Sequence, residues 1–378
     1  MSVEPPTQPI KVGLLYSALS MTAAVEQTQA NATLLAIDEV NRAGGIHGEM
    51  LEPVVIDIGA SPADFRLAAL TLCDQYQVQV LFGTHMSSSR KAVLPVIESR
   101  QRLLFYPTLY EGFEYSPCCY YTGAAPNQNS VQLARYTATH FGSRVVFVGV
   151  PYVYPFESNR IMRDLFVQAG GEVLEEFYLP FSADKADYAE VMQRIVELAP
   201  DAIYSTVVGA DIPTLYEAYF DTALDPAQCP IISLSTNEAE VALMRPEVAD
   251  GHICAAPWFD TLDNPASRHF IELYRHRFGA NAPLTAAAEA AYFGVHLYAE
   301  GARQANPRDI ESIRQALAQV SYDAPQGLVH LNPENHHTWL WPRIARLNGQ
   351  GRFEIVFEGD RAISPSPYMV EHQLDHEQ

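Results

Sequence analysis

The sequence has 378 residues, of which 48% are apolar and 18% charged, and 45 acidic against 24 basic side chains give a net charge of −21. These values are typical of a folded globular protein with two domains, and they exclude a disordered or fibrous chain. So large a negative charge repels phosphate backbones, which argues against direct nucleic-acid binding.

Strands and helices are predicted to alternate strictly along the first third of the chain. Residues 11–17 form an apolar run typical of a buried strand, and residues 27–45 carry apolar side chains at helical spacing before a Gly-Gly stop. The elements that follow are strand 52–59, helix 62–76, strand 78–83, helix 87–100 and strand 102–108. Such alternation is typical of a doubly wound parallel sheet.

A turn-rich passage over residues 110–130 separates this half from a second half, in which the alternation starts again. The predicted elements there are helix 131–142, strand 144–150, helix 158–171, strand 173–180, helix 188–200, strand 202–208, helix 212–223 and strand 230–236. Two similar α/β halves that join near residue 122 are the simplest account.

Beyond Trp258 the pattern changes, because predicted helices over 265–279 and 285–305 precede a strand-rich tail over 327–357. Helices followed by strands indicate that the chain crosses between the halves more than once. We therefore predict an α/β protein whose two lobes comprise residues 9–122 plus 259–331, and residues 123–258 plus 332–378. Open α/β sheets bind ligands at the carboxyl ends of their strands, so two facing lobes would share one cleft.

The sequence gives two signals about the compartment. No stretch approaches the length of an apolar membrane span, and residues 1–17 are acidic and proline-rich where a secretory signal would be basic and then apolar. We expect no membrane association and a cytoplasmic protein, or a periplasmic one if a signal peptide has been removed. An odd number of cysteines without CxxC spacing argues against a disulfide framework, so we expect buried free thiols.

The stretch LFGTHMSSSRKAV, residues 81–93, contains residue types that occur in catalytic sites. Ser88-x-x-Lys91 matches an acyl-transfer pattern in which lysine activates serine, but no GxSxG elbow or Lys-Thr-Gly segment accompanies it. His85 beside these serines could belong to a triad, yet no acid is indicated to orient it. Phosphate-loop motifs are missing, and the adjacent His336 and His337 have no partner at metal-ligand spacing. The sequence therefore predicts no catalytic residue, no cofactor and no metal.

The same stretch also suits a polar turn that holds a neutral molecule. A strand ending at Gly83 and a helix beginning near Ser88 would place free backbone N–H groups and small hydroxyls at the mouth of a cleft. Hydroxyl and aromatic side chains follow other predicted strands too, at Tyr106, Thr108, Tyr152 and Tyr154 and within STVVG and SLSTNE. Ordinary capping explains any one of them, but their shared position favours one site that is rich in hydroxyls and poor in charge.

Such a site favours a small neutral ligand, for example an amide or urea. An amino acid would need an acid opposite its ammonium group; only Asp211 and Glu238 lie near the proposed site, and neither is clearly aimed at it. With about four heavy atoms, the ligand would gain at most about 6 kcal/mol, or a Kd on the order of tens of micromolar. This affinity suits a sensor or a carrier.

Eight motifs in order extend from about residue 10 to the C-terminus: THMSSSRKAVLPVIE, YPTLYEGFEYSP, GAAPNQNS, YVYPFESN, GGEVLEE, STVVG, NEAEV and DAPQG. Together they resemble the amide receptors that negatively regulate aliphatic amidase operons, and their relatives among urea and short-chain amide binding proteins. The resemblance implies the type I periplasmic-binding-protein fold, with two α/β lobes, three crossovers and a ligand closed between them. It also implies a homodimer.

The resemblance further implies a mechanism and a set of contacts. The receptor would sequester an RNA-binding antitermination factor until an inducing amide closes the cleft and releases it. The implied amide contacts fall on Ser87, Tyr106, Thr108, Tyr152, Tyr154, Thr206, Val208 and Ser235. Ser87 N–H and hydroxyl would meet the amide oxygen, Thr108 would hold the other polar end, and the tyrosines would wall the pocket.

Three positions depart from the family pattern. His85 and Leu109 stand where the amide receptors have tyrosine and proline, and Ser235 replaces a threonine. These changes alter the size and polarity of the pocket, so we expect an inducer larger than acetamide or one resembling urea.

Three functions of different classes stay open at this point. The first is a cytoplasmic, non-enzymatic receptor that binds a short-chain amide and controls an RNA-binding antiterminator. The second is the solute-binding component of an ABC importer for urea or amides. The third is an amidase or other hydrolase, which a turnover assay with acetamide would test.

Overall fold

A computed structural model describes residues 8–368 of the chain. The first strands and helices alternate as the sequence predicts, because each apolar run is followed by a capped amphipathic segment. They are β1 (Ile10–Leu15), α1 (Ala23–Arg42), β2 (Leu51–Val54), α2 (Pro62–Asp74), β3 (Val80–Gly83), α3 (Ser87–Ser99), β4 (Leu103–Tyr106) and β5 (Cys119–Tyr121).

The second run of alternation contains α4 (Pro126–His140), β6 (Arg144–Gly149), α5 (Val153–Gln168), β7 (Glu172–Tyr178), α6 (Lys185–Leu198), β8 (Ala202–Thr206), α7 (Ile212–Phe220), β9 (Ile231–Ser233), α8 (Glu238–Val241), α9 (Pro246–Ala249) and β10 (Ile253–Ala256). A short 3-10 turn, Gly209–Asp211, precedes α7. The last elements are α10 (Pro265–Phe278), α11 (Ala286–Arg303), α12 (Ile310–Leu317), β11 (Ser321–Ala324), β12 (Gly327–His330), β13 (Arg343–Leu347) and β14 (Phe353–Glu358).

Across residues 8–368 the strands form two large sheets and one hairpin. The first sheet has the order β2-β1-β3-β4-β5, and all its neighbours are parallel. The second has the order β14-β13-β10-β9-β8-β6-β7, with β13 and β14 antiparallel at one edge. β11 and β12 pair with each other. The first sheet is thus fully parallel and the second is parallel except for β13 and β14, as expected from alternation that ends in a strand-rich tail.

Each sheet has its own core. Phe82 and Phe105 of the first sheet pack in one cluster with Phe270 of α10, Leu297 of α11 and Ile313 of α12, so these late helices return to the first sheet. We call this sheet and its helices the first lobe, and the seven-stranded sheet with its helices the second lobe. The chain passes between the lobes after β5, after β10 and again before β13, which gives three crossovers.

The last crossover lies later than the predicted division at residue 331. Tyr121 N–H donates to His336 O (2.9 Å), and Thr338 N–H donates to Tyr121 O (3.1 Å), so residues 336–338 adjoin β5 of the first lobe. This backbone pairing extends the first lobe beyond residue 331. The other predicted bounds stay predictions, and residues 369–378 of the predicted second lobe lie outside the described residues.

Candidate functional site

A cavity of ≈ 80 Å³ lies between the two lobes, at the carboxyl ends of their parallel strands. The first lobe contributes residues that follow β3, β4 and β5, together with the start of α11, and the second lobe contributes residues that follow β6, β8, β9 and β10. One water molecule needs about 10–15 Å³ by this kind of measure, so the cavity has room for several waters or one small ligand.

Eight of the ten residues predicted for the site line this cavity. They are His85, Ser87, Thr108, Leu109, Tyr152, Tyr154, Val208 and Ser235. They come from both lobes, so the two halves of the chain meet at one place, as the sequence indicated. That these residues touch a ligand stays a prediction.

The other two, Tyr106 and Thr206, are fully buried behind the cavity wall. The Tyr106 hydroxyl donates to the backbone oxygen of His85 (2.7 Å), and the Thr206 hydroxyl donates to Asn159 Oδ1 (3.1 Å). Both are therefore placed as supports of the wall, in contrast to the contacts that the resemblance implied for them.

Helix α3 begins at the cavity, where Met86 and Ser87 form part of the lining. Met86 occupies the N-cap position in an extended conformation, and no side chain caps this end of the helix. The first N–H groups of a helix have no partner within the helix, and its dipole favours an oxygen acceptor there. The start of α3 can thus receive a carbonyl or carboxylate oxygen.

The Ser87 hydroxyl is already engaged within the protein. It donates to Glu111 Oε2 (2.6 Å) and accepts from Arg90 Nη1 (3.1 Å). The role predicted for this hydroxyl, donation to an amide oxygen, is therefore not supported. The backbone N–H of Ser87 can still serve that role, because the side chain points away towards Glu111.

The buried side chain of Arg90 stabilises the start of α3 through ion pairs. Its Nη2 donates to Glu111 Oε1 (2.9 Å) and its Nε to Glu114 Oε1 (2.7 Å), and its guanidinium carbon lies 4.7 Å from each of the Tyr106 and Tyr110 ring centroids. Burial acts to raise the pKa of Glu114, but the nearby guanidinium outweighs it and lowers that pKa. The buried positive charge is thus held by two carboxylates and two rings.

His85 and Thr108 are joined by a side chain that the sequence did not indicate. Gln29, fully buried on α1, accepts from His85 Nδ1 (3.1 Å) and donates to Thr108 Oγ1 (3.0 Å). The Thr108 hydroxyl in turn donates to Thr84 O (3.3 Å), so the predicted role of that hydroxyl as a ligand donor is not supported. Burial lowers the pKa of His85 to about 4. A neutral imidazole whose Nδ1 donates to Gln29 keeps Nε2 as an acceptor.

Aromatic and aliphatic side chains form the rest of the wall near α3. Tyr152 and Tyr154 lie with ring centroids 6.2 Å apart, and Phe181 lies 5.6 Å from Tyr152. Leu109 and Val208 pack in the same cluster. This wall suits the apolar part of a small ligand.

Three carboxyl groups also line the cavity: Glu238, Glu240 and Glu289. Burial raises the pKa of Glu240 and of Glu289 to about 8, and it also raises the pKa of Glu238. Helix α8, which follows β9, and the start of α11 thus bring acids to the cavity that the sequence analysis did not place there as a group. Because burial raises their pKa values and so favours neutral carboxyl groups, a site poor in charge stays a prediction. In the sequence, the single acid within the apolar segment TAAAEAAY, residues 285–292, could have indicated Glu289 as a candidate site residue.

The catalytic and metal alternatives gain no support from the geometry. Lys91 Nζ pairs with Glu114 Oε2 (3.1 Å), and within the described residues no hydrogen bond joins it to Ser88. No group of three or more His, Cys, Asp or Glu in residues 8–368 is arranged to hold a metal ion. All five cysteines are buried and unpaired. None of the described helices combines the length and the apolar character that a membrane span needs.

The two lobes touch directly beside the cavity. Ala210 N–H of the second lobe donates to Met21 O of the first lobe (3.0 Å), and the neighbouring Gly209 has φ +59°. A Cβ atom at Gly209 would overlap Met21 O. The lobes are therefore in a closed arrangement over the cavity.

Two α/β lobes joined by three crossovers, which close over a cavity at the ends of their strands, define the class of two-lobed ligand-binding proteins. The chain belongs to the family described as periplasmic binding protein domain, which matches residues 10–374. The predicted type I periplasmic-binding-protein fold is thereby confirmed.

Several similar proteins are named as binding proteins. Leu/Ile/Val-binding protein homolog 6 of Brucella abortus is 24% identical over 286 residues, which cover 74% of this chain and 72% of that protein. A solute binding protein of an ABC transporter from Rhodopseudomonas palustris, solved in complex with p-hydroxybenzoic acid, has a TM-score of 0.86 at 20% identity and covers 97% of this chain and 100% of that one.

A further solved structure is the substrate binding protein of a branched-chain amino acid transporter from Streptococcus pneumoniae, in complex with isoleucine. Its TM-score is 0.80 at 18% identity, with 94% of this chain and 100% of that one covered. Identities this low establish the fold alone. The names agree with the prediction of a binding protein rather than an enzyme, but they give no support to an amide receptor or an antitermination partner.

Proposed function

We propose that this protein is the solute-binding component of an ABC importer. The observation that carries the proposal is the closed cavity between the lobes, into which the uncapped start of α3 opens. Receptors of this class need an enclosed site whose two walls belong to different lobes, because ligand contacts with both walls favour the closed form. The two similar solved structures, both named as binding proteins of transporters, support the same class.

The chemistry of the cavity narrows the ligand to a small molecule with a carbonyl or carboxylate oxygen. The oxygen would accept from the Ser87 N–H at the start of α3. The apolar part would lie against Tyr152, Leu109 and Val208, and a neighbouring N–H or O–H group of the ligand would donate to His85 Nε2. The binding component of such an importer would act in the periplasm.

A second candidate is the cytoplasmic receptor that the resemblance implied, which binds a short-chain amide and controls an RNA-binding antiterminator. It is favoured by the neutral His85 next to α3, since an amide presents both an acceptor oxygen and donor N–H groups to this pair. The charge of −21 would leave RNA contacts to the partner. A homodimer remains a prediction under both candidates.

Isothermal titration of the purified protein tests the proposal. The panel contains acetamide, butyramide, urea, butyrate, isoleucine and p-hydroxybenzoate. We expect saturable one-to-one binding of at least one carbonyl compound, and no turnover of acetamide. Absence of binding to every member would contradict the proposal.

Fractionation of cells that express the natural gene separates the two candidates. Recovery in the periplasmic fraction supports the importer component. Recovery in the cytosol, together with binding of amides alone, supports the regulator.

A further inference from the structure

The second lobe places a buried acid in the cavity, to which the first lobe contributes the start of α3. Glu240, on α8, is only 1% exposed and lines the cavity. Its Oε2 has no hydrogen-bond partner among the described residues. Buried polar atoms are nearly always paired, and an unpaired acceptor lowers stability, so this atom calls for an explanation.

Glu240 Oε2 differs from the carboxyl oxygens by which the two other cavity acids bind protein partners. Glu289 accepts from the backbone N–H of Gln326 (3.2 Å) and from its Nε2 (2.8 Å), and Glu238 Oε1 accepts from Asp260 N–H (3.3 Å). Both of these acids therefore have partners within the protein. Glu240 is the one of the three whose carboxyl oxygen lies buried and unpaired at the cavity.

The two lobes thus offer polar groups on both walls of the cavity. The unpaired Glu240 Oε2 lies on the second lobe, and the uncapped start of α3 lies on the first. This arrangement is the one expected for a ligand with polar groups at both ends.

We propose that Glu240 forms a second polar subsite of the cavity, which accepts a hydrogen bond from a hydroxyl or ammonium group at the far end of the ligand. The inference rests on the proposed function, in which the near end presents an oxygen to α3. The ligand would then be a short molecule with an acyl oxygen at one end and an O–H or N–H donor at the other. Contacts with both lobes at once would also favour the closed form.

Matched ligand series test the subsite. Propionyl, butyryl and valeryl amides and carboxylates are titrated, each with and without a terminal hydroxyl or amino group. The acyl chain length is varied because only a ligand whose length matches the distance between the two subsites can contact both. We expect one terminally substituted ligand to bind at least about tenfold more tightly than its unsubstituted partner. The hydroxyl and amino arms distinguish a neutral donor from a cation.

Two variants test whether Glu240 causes the preference for the terminally substituted ligand. Glu240→Leu should abolish the preference for the substituted ligand and leave the affinity for the unsubstituted one similar. Glu289→Gln is the matched control, because it changes a buried cavity acid that already has a partner, and it should keep the preference. A change in preference of equal size in both variants would overturn the assignment to Glu240.

The outcomes separate this inference from the proposed function. If simple amides or carboxylates bind but no substituted ligand is preferred, the subsite is wrong and the proposed function stands. If no compound binds, both are wrong. The comparison of ligand pairs on the unaltered protein decides the matter even if Glu240→Leu fails to fold.

Discussion

Gln29 illustrates how a single buried side chain orders the site. By accepting from His85 Nδ1 and donating to Thr108 Oγ1, it selects one tautomer of a neutral histidine and fixes a threonine beside it. A glutamine in the middle of α1 gives no sign of this in the sequence, because its partners lie more than fifty residues away. The contact depends on how α1 packs against the ends of β3 and β4.

Gln29→Leu should therefore weaken ligand binding. Loss of both hydrogen bonds leaves the His85 tautomer undetermined and buried polar atoms unpaired, which costs about 1–3 kcal/mol of stability. We expect about tenfold weaker binding by titration of the tightest ligand of the panel. Gln27→Leu, exposed on the same helix, is the control, and equal affinities for the two variants would contradict this role.

The raised pKa of Glu289 predicts that the stability of the protein depends on pH. Burial raises the pKa of Glu289 in the folded protein to about 8, so between about pH 4.5 and 8 the folded state keeps a proton that the unfolded state has lost. The free energy of unfolding therefore falls as the pH rises through this range. Urea unfolding at pH 5 and pH 8.5 should show that Glu289→Gln gains stability relative to the unaltered protein at the higher pH.

The exposed Glu272→Gln controls for the loss of one negative charge in this comparison. A stability difference between Glu289→Gln and the unaltered protein that stays constant from pH 5 to pH 8.5 would argue against a buried, protonated Glu289.

Helix α3 depends on the buried ionic group formed by Arg90, Glu111 and Glu114. Arg90→Met leaves Glu111 and Glu114 buried without their main cation, and breaking a buried ion pair from one side costs about 3–5 kcal/mol. We expect a loss of this size in the free energy of unfolding, measured by urea titration. Arg100→Met is the control, since its ion pair with Asp74 is exposed and should matter far less. Equal losses would show that the Arg90 group adds no special support.

Most elements of the two sheets could be predicted from the sequence, because their apolar periods are long and their ends carry Gly or Pro signals. The short strands β5 and β10 could not, since three or four apolar residues acquire a strand identity only through their neighbours in a sheet. Helices α4 and α5 start five residues earlier than predicted, at Pro126 and Val153. Proline at the first helical position explains the earlier start of α4, a signal that the apolar period alone does not contain.

The candidate site was predictable in outline but not in detail. Strand ends and the resemblance brought eight residues of the cavity together, whereas Gln29, Glu240 and Glu289 lie on helices whose contacts are set by tertiary packing. The sequence also does not show which partner a hydroxyl donates to. In the structure the hydroxyls of Ser87 and Thr108 donate to protein acceptors.

Closure of the two lobes depends on the contact between Met21 and the Gly209–Asp211 turn. Gly209→Ala places a methyl group against Met21 O and should shift the protein towards an open form. We expect a larger radius of gyration by small-angle X-ray scattering and weaker ligand binding. Gly170→Ala is a matched control, because Gly170 also has a positive φ (+77°) but nothing lies within 4 Å of its Cβ position. The same scattering profile for both variants would exclude this contact from closure.

We expect a small ligand to bind between the lobes with an oxygen on the Ser87 N–H. Ser87→Pro tests it most directly, because proline is tolerated at the first helical position and Met86 is already extended, so mainly one N–H donor is removed besides the hydroxyl. Ser87→Ala removes the hydroxyl alone. Titration of the tightest panel ligand should show near-normal affinity for Ser87→Ala and at least about tenfold weaker binding for Ser87→Pro. Equal affinity for the two folded variants would mean that the ligand oxygen does not bind at the start of α3, and the account of the site would be wrong.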